Sequence, residues 1–306
     1  MILARYISYL TTFIICSLLP GSGDIELDST TIPLKQAGRL FLIEASIDGQ
    51  IGNFVFDTGS TSLVLNKTYF RNYTRSGIGA GGISGTNSPV GHTRVQQLDF
   101  AGISLYNLNA DIVSLGHIEN RRGIRILGLL GMDVLKNFEM IIDFRAQTLV
   151  LHRINRKGDK INSEVEVFTP DLLCEVLSRD DIMYIKADVG GKTLDFCLDT
   201  GAESNILCSS CRKDILSTVS ISRRTSLTGI GGQSADVFFG SMSDFNLNNT
   251  QLEPMQAIIT SLAALSATYD FPIDGVLGYD FFAKGIVSIN LVKRKLGIKF
   301  YNSPTK

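Results

Sequence analysis

Two stretches of the chain set an aspartate where an apolar run meets a tight turn: 54-FVFDTGSTSLVLN-66 and 196-FCLDTGAESNIL-207. An ionised carboxylate is expensive out of water, so such a position must neutralise the charge, pair it or surround it with hydrogen-bond donors. Two such sites in one molecule are expected to meet. Carboxyls brought into contact cannot both ionise; they share one proton, and the pair is then an acid and a base in a single site. Other hydrolytic chemistries lack their residues. His92, His117 and His152 are the only histidines and none forms an HExxH pair, and no GxSxG elbow is present. Cys208-Ser-Ser-Cys211 has no second CxxC and no nearby histidine to complete a metal set, so no metal site is expected.

The elements around the two aspartates repeat. The first half reads 41-FLIEASIDGQIGNFVFDTGSTSLVL-65, then 79-GAGGISG-85, then 126-ILGLLGMDVLKNFEMIIDFRAQTLVLHR-153. The second reads 183-MYIKADVGGKTLDFCLDTGAESNIL-207, then 227-LTGIGGQ-233, then 275-GVLGYDFFAKGIVSINLVKRKLGIKFY-301. The order of parts is the same and the aspartates lie 142 residues apart, as expected of a duplicated lobe rather than a solenoid of three or more units. Asp48-Gly49 and Gly190-Gly191 sit between apolar segments and predict a hairpin in each half. Phe54, Val55 and Phe56 are apolar in succession, so that strand is expected to be covered on both faces. Asp133 and Asp280 fall near the starts of short helical stretches and read as helix caps. The polar residues 155–163 mark the expected boundary, giving lobes of 24–157 and 158–306.

The chain has 306 residues, 44% hydrophobic and 19% charged, enough for two lobes with real cores. With 29 Lys and Arg against 30 Asp and Glu, nothing in the charge calls for nucleic acid or an anionic membrane. Residues 1–23 carry Arg5, an apolar stretch and a small-residue end, and predict a secretory signal, with an uncleaved anchor as the alternative. The protein is thus expected to be exported, periplasmic or secreted. Cys174, Cys197, Cys208 and Cys211 would then remain, as a structural disulfide or as buried thiols, with Cys197 a strand core residue.

Taken together, the paired Asp-Thr-Gly turns, the glycine-rich turns and the later Leu130-Gly131 and Val276-Leu277-Gly278 segments resemble the aspartic proteases of the pepsin and retropepsin superfamily. Asp199-Thr-Gly-Ala and Leu227-Thr-Gly-Ile-Gly-Gly lean toward the retropepsin-like branch, and Gly128-Leu-Leu-Gly-Met-Asp is similar to bacterial exported members. The resemblance implies an all-β protein of two similar β-barrel lobes in the acid protease fold, arranged as an intramolecular pseudo-dimer. It implies that Asp57 and Asp199 are the catalytic pair, activating a water that attacks a peptide bond with no covalent acyl-enzyme, no metal and no cofactor. Thr58 and Thr200 match positions whose hydroxyls cross-link the active-site loops, and Gly59 and Gly201 let backbone N–H groups approach the carboxylates. Ser60 and Ala202 complete the supporting loops. Gly79, Gly81 and Gly82, with Gly229, Ile230, Gly231 and Gly232, match flap tips that close over an extended peptide. The implied partner is a peptide or protein substrate, and the implied state a monomer.

Neither glycine-rich turn carries the tyrosine typical of the pepsin flap. Ser60 beside Asp57 faces Ala202 beside Asp199, and its hydroxyl is expected to donate to Asp57, favouring the ionised form there and leaving Asp199 as proton carrier. Glu203 is expected to face solvent. The competing readings are a catalytically silent peptide-binding module that keeps the cleft, and lobes that act only after pairing with another chain.

Overall fold

The computed structural model describes residues 28–80, 88–162, 164, 167–179, 181–228, 234–269 and 271–302. The segment read as an export signal, Cys16 within it, and the flap-tip residues Gly81, Gly82, Gly229, Ile230, Gly231 and Gly232 lie outside these. No helix among the described residues is long and apolar enough to cross a membrane.

The protein is built from strands, and each half lays them down in the same order. Leu40–Ile47 and Gln50–Phe56 form the first predicted hairpin, with Asp48 and Gly49 both at positive φ in its turn. Ile182–Val189 and Lys192–Leu198 form the second, turning at Gly190 and Gly191, again at positive φ. Such turns match the twist of the flanking strands, and glycine tolerates that conformation best.

The strand ending at each aspartate is then locked by a short strand from far along the chain. Gly128–Leu130 runs parallel to Phe54, Val55 and Phe56 on one side and antiparallel to Val64 and Leu65 on the other. Gly275–Leu277 does the same between Phe196–Leu198 and Ile206–Leu207. This places the Asp-Thr-Gly turn between two strands that share one neighbour, so the turn is held at both ends. Phe54 and Phe56, like Phe196 and Leu198, are fully buried, as the unbroken apolar runs predict. The N-terminal sheet closes into a barrel where Ser46 and Ile47 pair with Asp99 and Leu98.

A six-stranded sheet joins the halves, in the order Ser29–Pro33, Thr148–Arg153, Phe138–Asp143, Gly285–Asn290, Lys295–Phe300, Leu172–Glu175. Three strands come from each half, and the two lobes meet at its centre, where Met140, Ile141 and Ile142 pair with Ile289, Ser288 and Val287. The alternating buried residues Met140, Ile142, Val287 and Ile289 turn one face of this sheet into a core that runs continuously through both lobes. Phe41 stacks on Phe144 with ring centroids 3.9 Å apart, and Phe144 packs in turn against Tyr279 and Phe282 of the second half. Two similar β-lobes in one chain, joined as a pseudo-dimer, is thus the observed architecture.

Cys174, Cys197, Cys208 and Cys211 are free thiols, the second of the two expected states. Burial pushes Cys174, Cys197 and Cys211 up to about 12, which keeps them as unreactive thiols.

Candidate active site

At the lobe interface the two Asp-Thr-Gly turns face one another. Each carboxylate accepts the backbone N–H two residues on, Gly59 to Asp57 at 3.0 Å and Gly201 to Asp199 at 2.8 Å. The glycines are required by the opposite turn: a Cβ on Gly59 would collide with the Asp199 carboxyl, and one on Gly201 would sit 2.8 Å from Asp57 Cγ. The same close approach brings the two carboxyls into hydrogen-bonding contact. Both side chains lie deep in the interface yet keep some exposed surface, so water reaches them.

Burial raises both carboxyl pKa values, Asp57 well above the ordinary range. Its neighbour's negative charge adds to the shift at Asp57, while the N–H groups of Gly59 and Ser60 pull it back. At Asp199 the hydrogen bond with Asp57 and the N–H groups of Gly201 and Ala202 oppose the burial. The chemical outcome is a pair that keeps one proton where free carboxylates would have lost theirs.

Thr58 and Thr200, both sealed from solvent, cross-link the turns. The Thr58 hydroxyl donates to the Leu198 carbonyl at 3.0 Å and accepts the Thr200 N–H at 3.1 Å. The Thr200 hydroxyl donates to the Phe56 carbonyl at 2.8 Å and accepts the Thr58 N–H at 3.0 Å. Four backbone groups next to the aspartates are satisfied by two hydroxyls. Leu130 and Leu277 support from behind, their carbonyls accepting the N–H of Asp57 and Asp199.

Several polar side chains behave otherwise than expected. The Ser60 hydroxyl donates to the Ser62 carbonyl at 3.0 Å, because the tight turn brings that carbonyl within reach; it does not donate to Asp57, and so does not single out Asp199 as proton carrier. Glu203 does not face solvent. It forms an ion pair with Arg122 of the first lobe, with both side chains largely covered, while its carbonyl accepts Arg39 Nη1 at 3.2 Å. Asp133 and Asp280 do stand in the first turns of the short helices Met132–Leu135 and Tyr279–Phe282, but neither helix has a side-chain cap bond. Asp280 instead pairs with Arg39 at 2.8 Å, across the lobe interface. Gly79 pairs with Pro89 in the arm of the first glycine-rich hairpin.

Sequence reasoning missed Arg39, Arg122 and Tyr269. Helices Gly116–Arg122 and Ala263–Tyr269 occupy equivalent places in the two lobes, and the last residue of each crosses to the opposite Asp-Thr-Gly loop. Arg122 reaches Glu203, and the Tyr269 hydroxyl donates to the Gly59 carbonyl at 3.3 Å. Burial, with the negative charges of Asp199 and Asp57, pushes the Tyr269 phenol far up, so it remains a donor. The duplication held a usable signal: aligning the two halves on their later glycines sets Arg122 against Tyr269.

Fold and facing turns define a two-lobed acid protease architecture. The family model described as aspartyl protease matches residues 43–134 and 185–281, one segment in each half and more than half of the chain together. The chain belongs to the aspartyl protease family. Among solved structures it is similar to a retropepsin-like aspartic protease from Rickettsia conorii, at 20% identity, with 41% of this chain and 90% of that one covered and a TM-score of 0.30. No curated protein matches the chain.

Proposed function

We propose that the protein is an aspartic endopeptidase that hydrolyses peptide bonds with a water activated between Asp57 and Asp199. The observation that carries this reading is the contact of two buried carboxyls, held by backbone N–H groups and the Thr58–Thr200 cross-link. The ionised member takes a proton from the water as its oxygen attacks the scissile carbonyl carbon, and the protonated member gives its proton to the carbonyl oxygen. As the tetrahedral diol collapses and the C–N bond breaks, the protonated member gives its proton to the leaving nitrogen and the ionised member takes one from a diol hydroxyl, which restores the pair. Burial supports each step, since it keeps one proton in place at a pH where exposed carboxyls have none.

The hairpins Thr74–Ala80 with Ser88–Phe100, and Val219–Thr228 with Ser234–Met242, are the flap arms in this reading, and an extended peptide lies beneath them. Cross-links and a joining sheet formed within one chain support a monomer as the active species, and residues 1–23 support export. The test uses the full chain and its Asp57→Asn and Asp199→Asn variants, scoring cleavage of a diverse peptide library by mass spectrometry from acid to neutral pH. Both variants are expected to lose all cleavage while keeping their circular dichroism. A folded, monomeric wild type that cuts nothing at any pH would replace this reading with a silent peptide-binding module.

A further inference from the structure

The two lobes repeat the strands that frame each aspartate, but the walls they give the proposed cleft do not match. In the first lobe, residues paired side by side across the sheet run Val55, Leu129, Val64, Asp111, His92. The same row in the second lobe runs Cys197, Val276, Ile206, Ile258, Phe239. Each row begins two residues before the aspartate, on the face the aspartate shares because side chains alternate along a strand. Each ends in the arm of a glycine-rich hairpin. As walls of the proposed cleft, the rows are buried at Val55, Val64, Cys197, Ile206 and Val276 and keep exposed surface toward the hairpins, at Asp111 and His92 in the first lobe and at Ile258 and Phe239 in the second, while the residues on either side of Asp111, Ala110 and Ile112, point into the lobe core.

The exposed end of the first wall is polar. Asp111 accepts the Ser62 hydroxyl at 2.5 Å and contacts His92 Nδ1 at 2.6 Å, with its side chain still 32% exposed. Asp133 is close enough to interact with Asp111 and has a buried Oδ1 without a hydrogen-bond partner. The second wall has Ile258 and Phe239 at the places of Asp111 and His92, with Arg223 stacked over the Phe239 ring at 4.2 Å.

We infer that this asymmetry sets the polarity of the substrate. The first-lobe half of the cleft takes a side chain that donates to Asp111, lysine or arginine above others, and the second-lobe half takes an aliphatic or aromatic side chain at the symmetric position. A carboxylate with two hydrogen bonds still has lone pairs to offer, and a cationic donor makes the stronger bond with it. Against Ile258 and Phe239 the same cation would find no carboxylate and would meet the charge of Arg223, already stacked on the Phe239 ring. The inference rests on the proposed cleft, and it deepens that reading by naming what the cleft selects.

Binding to the Asp57→Asn protein tests it without requiring turnover. Peptides captured by that protein from a randomised library are sequenced by mass spectrometry. Lysine or arginine is expected on one side of the bound segment, with aliphatic or aromatic residues at the mirror position. Adding Asp111→Asn is expected to weaken the lysine and arginine peptides about tenfold and to leave the apolar preference unchanged. Adding Ile258→Asp instead is expected to admit lysine at the second position, and thermal unfolding checks that both variants are folded. Equal preferences at the two positions, a failure to capture any peptide, or unchanged lysine binding in a folded Asp111→Asn protein would overturn the inference. Cleavage that survives Asp57→Asn would overturn the proposed function alone, because the captured sequences do not depend on catalysis.

Discussion

Thr58→Val isolates the cross-link that brings the two aspartates together. Valine matches threonine in shape but has no polar atom, so the Leu198 carbonyl and Thr200 N–H lose their partner in a site where Thr58 and Thr200 are 0% exposed. Each buried group left without a partner costs about 1–3 kcal/mol, and allowing for some relaxation we expect about 3 kcal/mol for the two. Thr58→Ser keeps both bonds and loses one buried methyl, which costs about 1 kcal/mol. For a chain of this size each kcal/mol lowers the melting temperature by about 1.5–2 °C, so valine is expected about 5–6 °C below wild type and serine about 1.5–2 °C below. Urea unfolding gives the free energies, and the valine-minus-serine difference measures the hydroxyl. Thr200→Val strands a different pair, the Phe56 carbonyl and the Thr58 N–H, so the double variant should cost nearly the sum despite the contact between the sites. A valine variant within about 0.5 kcal/mol of serine, or a double variant no worse than either single, would refute the account.

Other expectations concern the carboxyls and the groups that cross between lobes. Asp57 and Asp199 both have raised carboxyl pKa values, so the folded state holds a proton that the unfolded chain releases near pH 4, and stability falls as pH rises from there through the folded-state pKa values. Asp57→Asn should therefore unfold at higher denaturant than wild type at neutral pH, and the advantage should fade below pH about 4; a constant difference at all pH values would contradict the burial argument. Glu203→Gln breaks the largely covered pair with Arg122 and is expected to cost about 1–3 kcal/mol in chemical denaturation. Glu44→Gln breaks the exposed pair with Lys35, whose side chains are 59% and 52% exposed, and should cost under about 1 kcal/mol. Equal costs would mean that the interlobe pair is no better than a surface contact. Tyr269→Phe removes the hydroxyl on the Gly59 carbonyl, with an expected loss of about 0.5–1.5 kcal/mol and a shifted pH–rate profile for peptide cleavage. Unchanged stability and a superimposable profile would place that hydroxyl outside the working site.

What the sequence determined by itself was whatever is written in short range or in repetition. Asp48-Gly49 and Gly190-Gly191 announced their hairpins through turn chemistry, and Phe54-Val55-Phe56 announced a strand covered on both faces. The duplication announced two lobes and the expectation that Asp57 meets Asp199, and the family resemblance added that the hydroxyls of Thr58 and Thr200 cross-link the two loops. What only the tertiary structure decided was the partner of each polar side chain whose neighbours come from distant segments. Glu203 lies beside Ala202 in the chain and looked solvent-facing, yet it is covered because folding brings Arg122 across the interface. Asp280 begins a helix as expected, but its carboxylate pairs across the interface with Arg39. The Ser60 hydroxyl was expected to donate to Asp57, and the curvature of the turn gives it the Ser62 carbonyl instead. The contrast between Asp111 with His92 and Ile258 with Phe239 is plain in the residues, but its meaning depends on strand register, which pairs positions many residues apart. Backbone pattern follows from local alternation and turn geometry; the direction and charge state of a polar side chain follow from whatever the completed fold places within about 3 Å of it.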